Sequence, residues 1–299
     1  MSDSLLSFAF LVQTLRISVP YALPALGATF SERGGVVNIA LEGILLIGAF
    51  ATTVGTFYTN DPLIGILCGI SAGLLTALLH SIISVILKAD QIISGIAINL
   101  FAIGITKFSC QLIFNSSSNS ARIVGLEHWN IFPDIPLLNN PFIIGTVLLI
   151  FIANFLLFKT RFGLRLRAVG ENPKAAETVG VSVSTMRHAG VLISGALTGL
   201  GGAWLALDQH SFTDGMSAGR GFIALAAMII GKWKPTGVAA ACVLFGFAES
   251  LSIHLQGSTS VAQFIQMIPY VATMVVLSGF IGRATPPAAD GILYEKENN

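Results

Sequence analysis

Apolar runs long enough to cross about 30 Å of hydrocarbon, roughly 17–25 residues each, recur along the whole chain. Nine apolar segments can be marked, at 5–29, 39–58, 62–87, 92–114, 141–158, 188–207, 221–231, 236–255 and 263–281. Hydrocarbon offers no water to an unpaired N–H or C=O, so each run must satisfy its backbone internally, as a helix or in a closed barrel. The runs are continuous rather than alternating, which excludes the barrel. A composition of 54% hydrophobic and 10% charged residues agrees, with a mean hydropathy of +0.79. The expectation is an all-α, polytopic membrane helix bundle of about nine spans, at most ten. No linker divides the runs, so residues 1–299 form a single transmembrane domain.

Several function classes fall away at once. A formal net charge of +1 without a basic tail gives no footprint for nucleic acid. Cys68, Cys110 and Cys242 lie singly in apolar stretches, without the spacing of a disulfide framework or a zinc site. Gly231-Lys232 is followed by Trp233 and lacks the earlier glycine of a P-loop, so the chain cannot bind ATP through a P-loop of its own. Gly219-Arg-Gly221-Phe-Ile-Ala224 follows a polar break rather than a strand and is not a dinucleotide fingerprint. The five histidines show no ligand spacing; His188 reads as a cap at the inner end of a span. No nucleophile–base pair stands out, so the chain is expected to be no enzyme and to carry no cofactor or metal of its own. The first apolar run follows no Lys or Arg before Arg16, so it is expected to be retained rather than cleaved as a signal.

Two segments interrupt the membrane pattern. "SERGGVVN" (31–38) and "DQHSFTDGMSAGRG" (208–221) each precede the same tripeptide, Ile39-Ala40-Leu41 and Ile223-Ala224-Leu225. Alternation brings the two into the membrane from opposite sides, the trace of an inverted repeat with interrupted helices along the transport path. Asn38, Glu42, Gly43, Asn99, Gly219 and Gly221 are the residues expected at those breaks. Buried ionisable groups at membrane depth default to functional hypotheses; Glu42, Lys107, Glu249 and His254 qualify. Glu42 reads as a lock on the broken helix before it reads as a substrate contact, with Arg33 or Lys107 as the ion-pair partner that a purely structural role would require. Gly65, Gly69 and Gly73, like Gly195 and Gly199, place small residues on one helix face for close packing. The stretch 115–140 is polar and Ser/Asn-rich, with Pro133 and Pro136, and reads as a loop with a short surface helix.

The block 159–187 carries six of the sixteen basic residues. Under the positive-inside rule it is cytoplasmic, and alternation then puts Arg33, Lys88, Lys232, Lys234, Arg283 and Lys296 on the same side, with Arg122 and Arg220 opposite. The C-terminus falls inside. Within the block, Asn172 can cap a helix that starts at Pro173, runs over Lys174 to Val179 and ends at Gly180 in the left-handed conformation; Ser184 can cap the span that follows. The result is a short helix along the inner face, presenting Ala175 and Ala176 and rimmed by charge from Glu171 and Lys174, to which a partner can dock.

"GENPKAAETVGV" (170–181) resembles the coupling-helix segment of the ATP-binding cassette (ABC) importer permeases that serve ribose, other simple sugars, nucleosides and branched-chain amino acids. "SERGGVVNIALEGILLIGAF" is similar to the early signature of that superfamily, and its Ser31–Gly43 portion to the nucleoside branch associated with basic membrane proteins; "GRGFIALAAMIIGKWKPTG" (219–237) resembles the second-half signature. The resemblance implies a permease in the cytoplasmic (inner) membrane. It would work with a second homologous permease, cassette ATPase subunits and an extracytoplasmic substrate-binding lipoprotein. The cargo it implies is a nucleoside. A ribose-type sugar permease is the alternative, and a secondary transporter coupled to protons through Glu42 or Glu249 a more distant one. Few positive charges lie among the spans, Lys107 and Arg220 being the candidates, so a phosphate-bearing cargo is not expected.

Overall fold

The computed structural model describes residues 7–126, 140–256 and 284–295, together with Met267, Val271 and Met274. The described residues form helices: α1 Phe8–Arg33, α2 Leu41–Thr59, α3 Pro62–Ser81, α4 Gln91–Phe114, α5 Pro141–Lys159, α6 Arg161–Glu171, α7 Pro173–Thr178, α8 Val183–Gln209, α9 Arg220–Ile230 and α10 Pro235–Gln256. Helix α3 ends in a wider turn of π type over Ile82–Ile86. Seven of these, α1 to α5, α8 and α10, are long and apolar enough to cross a membrane. The expected nine or ten spans are therefore not all found. The seventh apolar run is α9, whose 11 residues span about 16 Å, half of the hydrocarbon. The ninth run, 263–281, lies outside the described residues apart from three isolated positions, as do Arg283, Lys296 and the loop 127–139.

Most helix starts are written locally. Asp61, Asp90, Asn140, Thr160, Asn172 and Ser182 each accept a hydrogen bond from a backbone N–H of the first turn, satisfying donors that the helix cannot. Pro62, Pro141 and Pro173 sit at first positions, where a missing N–H is harmless. The cap of α8 is Ser182, not the expected Ser184, which is the second residue of the helix. Helix α1 runs unbroken through Pro20 and Pro24 and takes in Ser31 to Arg33, so the first break is Gly34–Ala40, shorter than the sequence suggested.

Helix α8 lies at the centre against α1, α2 and α3; α9 and α10 pack on the other side of α1. Small residues make the α2–α3–α8 contact possible. A Cβ on Gly73 would stand 2.4 Å from the Gly195 carbonyl oxygen, one on Gly199 2.5 Å from that of Gly69, and one on Gly48 2.9 Å from the Gly199 backbone. Without side chains the three backbones touch directly, as the four-residue glycine spacing implied.

Two non-helical stretches enter this bundle from opposite ends. Gly34–Ala40 climbs beside the start of α4: Gln91 Oε1 accepts from the Val37 N–H (2.7 Å), and Asn99, eight residues further, donates to the Ile39 carbonyl (2.9 Å). Eight helical residues are about 12 Å, so α2 starts well inside the membrane. The second stretch, 210–219, follows the end of α8 and runs antiparallel to residues 118–123, with bonds Ser120 N–H to Phe212 (2.9 Å), Asp214 N–H to Ser118 (2.8 Å) and Ile123 N–H to His210 (2.8 Å). The pattern of a long helix, a non-helical stretch and a helix starting inside thus occurs twice, in opposite senses, in α1–α2 and α8–α9.

Candidate functional site

Helices α2 and α9 have no side-chain cap from their own N-terminal residues. Both receive one from elsewhere. Asn99, on α4, accepts from the Gly43 N–H (2.7 Å) while its amide group holds the Ile39 carbonyl, so one side chain spans the break before α2. The start of α9 is held by Glu42: Oε1 accepts from the Gly219 N–H (2.8 Å) and Oε2 from the Gly221 N–H (2.7 Å). Gly219 adopts φ +80°, and a Cβ on Gly221 would lie 2.4 Å from the Glu42 nitrogen, so both glycines are required for this approach. Glu42 is itself in the first turn of α2. One carboxylate therefore lies between two helix N-termini, each carrying partial positive charge.

These bonds stand where a purely structural role would have required an ion pair with Arg33 or Lys107. Neither Arg33 nor Lys107 is the partner of Glu42: Arg33 reaches Glu171 at 3.8 Å and Lys107 reaches Asp214 at 3.3 Å. Asn38 is fully buried and donates to Ser194 on α8 at 3.0 Å, so it pins the first break to the central helix. The other polar residues of the spans also look inward. Ser94 meets His80 Nδ1 at 2.9 Å, and Thr106 donates to the Ala102 carbonyl. His188 does not cap a helix end; its Nδ1 meets the Ser81 hydroxyl on α3, bonding two spans together.

A cavity of about 610 Å³ opens at the end of the bundle where α1 begins and α8 ends. Gln13, Arg16, Asp208 and Gln209 border it; Trp204, Arg220 and Glu249 lie deeper. The charges are matched. Arg16 Nη2 lies 2.6 Å from Asp208 and Arg220 Nη2 2.8 Å from Glu249, and Tyr21 donates to the other Glu249 oxygen. The cavity thus reaches Arg220, the first residue of α9 beside its Glu42 cap. Asn38, Glu42, Gly43 and Asn99 do not line it; Gln13, Arg16, Trp204, Asp208 and Gln209 do, and sequence reading passed over all five. Arg16 and Asp208 are 192 positions apart, and no local signal joins them.

The opposite end carries α6 and α7. Asn172 Oδ1 accepts from the Ala175 N–H (3.0 Å), Pro173 is the first residue of α7, and Gly180 takes φ +83°, as the Asn-Pro…Gly punctuation implied. Val179 falls outside the helix. Ala175 and Lys174 are exposed, whereas Ala176 is buried against Val169 and Val183; Ala176 seats α7 on the protein and does not present a surface. Helix α6 was not anticipated. Its Leu166 and Val169 are buried and its arginines stay near the surface, a pattern hidden in a block read for charge alone. Residues 284–295 cross this same end. The Ala289 N–H reaches the Gly170 carbonyl (2.8 Å), the Ala288 N–H reaches Glu171 Oε2 (3.3 Å), and Tyr294 bonds to Glu177. Asp290 is half-buried beside Glu32 and Arg187, and its loss of water pushes its carboxyl up to about 7. Glu32 in turn accepts from Trp233 Nε1 at 2.7 Å, so the ends of α1, α9 and the tail meet in one cluster.

Comparison with known proteins fits this architecture. The family model described as "Branched-chain amino acid transport system / permease component" matches residues 10–277. The chain is 41% identical to the guanosine ABC transporter permease protein NupQ of Bacillus subtilis (strain 168), over 95% of both chains. It is 42% identical to the nucleoside ABC transporter permease protein NupC of Lactococcus lactis subsp. cremoris (strain MG1363), over 93% of this chain and 94% of that one. Among solved structures, an inward-facing ABC transporter assigned to the metal-chelate type superposes with a TM-score of 0.50 at 17% identity, covering 90% of this chain and 84% of its own. That likeness concerns the fold. The chain is a multi-pass membrane protein and belongs to the family of permease components of the branched-chain amino acid transport system type.

Proposed function

We propose that this chain is the membrane-spanning permease subunit of an ABC importer that carries nucleosides across the cytoplasmic membrane. The observation that carries the reading is the cavity of about 610 Å³ ending at the start of the interrupted helix α9. Its volume lies within the range of small-molecule sites, about 300–1,000 Å³. Its charges support an uncharged cargo: Arg16 and Arg220, the cations that line the cavity, are each held by a carboxylate, so neither is left to meet a phosphate. The guanosine and nucleoside permeases at 41–42% identity support the choice of nucleoside over a simple sugar.

In this reading a substrate-binding lipoprotein delivers cargo at the cavity end, which faces outward. Cassette ATPase subunits, which bind the ATP, dock at the α6–α7 end in the cytoplasm, where Glu171, Asn172, Pro173, Lys174, Ala175, Ala176 and Gly180 build and seat the coupling segment. The C-terminus lies on that side. A second homologous permease completes the translocation unit. The breaks at Asn38, Glu42, Gly43, Asn99, Gly219 and Gly221 supply the moving parts, as non-helical backbone at membrane depth does in transporters. The complex reconstituted in vesicles with its binding protein is expected to take up guanosine or inosine in an ATP-dependent manner, insensitive to uncouplers. Uptake confined to ribose or leucine would exclude the nucleoside, and uptake abolished by uncouplers with ATP present would favour a proton-coupled carrier.

A further inference from the structure

We propose that Arg220, Glu249 and Tyr21 form the point in the cavity that reads the hydrogen-bonding edge of the nucleobase. The inference rests on the nucleoside reading above and adds the residues that determine specificity. Three helices converge there, Tyr21 from α1, Arg220 from α9 and Glu249 from α10, and Arg220 and Glu249 line the cavity. Arg220 uses Nη1 on the Met216 carbonyl (3.1 Å) and Nη2 on Glu249 Oε1 (2.8 Å). Its Nε is buried and has no acceptor among the described residues. A buried donor left open is costly, and on an arginine that stays charged it cannot be relieved by deprotonation.

Glu249 complements it. Tyr21 bonds Oε2 and Arg220 bonds Oε1, and each carboxylate oxygen keeps further acceptor capacity. The cluster therefore sets the second N–H hydrogens of Arg220 Nη1 and Nη2 beside an available acceptor, with its charges already balanced. The ligand edge that fits has an acceptor next to a donor on one rigid, neutral ring. A 6-oxopurine carries this arrangement in O6 and the neighbouring N1–H. Trp204 also lines the cavity. A free sugar has no such flat edge to lay against it.

The test uses the whole importer in vesicles, with the same binding protein throughout. Uptake kinetics of inosine and of 1-methylinosine, which lacks the N1–H, are compared for the unaltered permease, for Tyr21→Phe and for Glu249→Gln. Expected is a preference for inosine in the unaltered complex. Glu249→Gln should raise the KM for inosine roughly tenfold and flatten the preference, while the maximal rate changes less. Tyr21→Phe, which removes one hydroxyl and keeps the ion pair, should move both quantities in the same direction by a smaller factor. Should Glu249→Gln fail to assemble, Tyr21→Phe decides alone. Variants that slow all uptake equally, with KM and preference unchanged, would make the cluster a packing lock and overturn the proposal, while guanosine or inosine uptake by the unaltered complex would still stand for the nucleoside reading. If the unaltered complex carries no nucleoside, the earlier reading fails and this one with it.

Discussion

Glu42 would be an expensive residue to bury if its charge were unanswered. It is answered by backbone hydrogen bonds from two N–H groups of the α9 start, at 2.8 and 2.7 Å, by the N-terminus of its own helix, and by electrostatic attraction to Arg220. Such charge-assisted bonds are stronger than neutral ones. Glu42→Gln leaves one acceptor oxygen and turns an NH₂ toward a backbone N–H, so one bond is lost and replaced by a donor–donor contact. Losing a bond of this kind costs about 1.5–3 kcal/mol. Since the bond joins the two interrupted helices, we expect uptake to fall about tenfold or more at normal expression and normal co-purification of the subunits. Unchanged uptake would reduce Glu42 to a packing residue. The sequence made Glu42 conspicuous as a carboxylate after a break, but not its partners, because backbone N–H groups 177 and 179 positions away leave no mark in residue types.

At the scale of elements, the contrast lies between helices that carry their own caps and helices that borrow them. Helix α7 carries Asn172, Pro173 and Gly180 within nine residues and was legible as written. A six-residue helix is too short to persist alone, so its seat matters: Ala176 is 3% exposed in a cluster with Val169 and Val183, while Val179 beside it is 78% exposed. An apolar side chain so open at the rim of α7 is the position where docking is most directly read. Val179→Cys is expected to react with a membrane-impermeant maleimide in inside-out vesicles and not in intact cells. Assembly with the cassette subunits should slow the reaction several-fold. Labelling from outside intact cells would overturn the orientation and the coupling role together.

Over the whole molecule, the end opposite the cavity is tied together by the C-terminal segment, which touches α6, α7, the first break and the start of α8. Asp290 gives that contact a pH dependence. Its carboxyl is raised from near 3.8 to about 7, chiefly by burial, against the attraction of Arg187 and the bonds to Glu32 and the Gly291 N–H. A raised acid means that the docked state binds more protons than the undocked one. Docking is therefore firmest below pH 4, weakens as pH rises from about 4 to about 7, and changes little above. Hydrogen exchange of the Ala289 amide, bonded to Gly170 and corrected for its intrinsic pH dependence, should accelerate across that window. Asp290→Asn should flatten the profile; an Asn variant that keeps the full pH dependence would assign it to another group.

The division between what the chain alone determined and what tertiary structure decided follows the range of the interactions. Apolar length, caps, prolines and glycine spacing act within a few residues, so the all-helical membrane class, most helix starts and the α2–α3–α8 glycine contact were readable from residues in order. The number of spans was not, because an apolar run such as 221–231 reports hydrophobicity and not depth. Alternation counted α9 as a crossing, although its 11 residues reach only about half of the hydrocarbon. The cavity was least legible of all. Arg16 with Asp208, Arg220 with Glu249 and Tyr21, and Glu42 with two backbone amides are pairings across different helices. In hydrocarbon a charge must find a partner, but sequence does not say which, and only the packing of α1, α8, α9 and α10 around one another makes the choice.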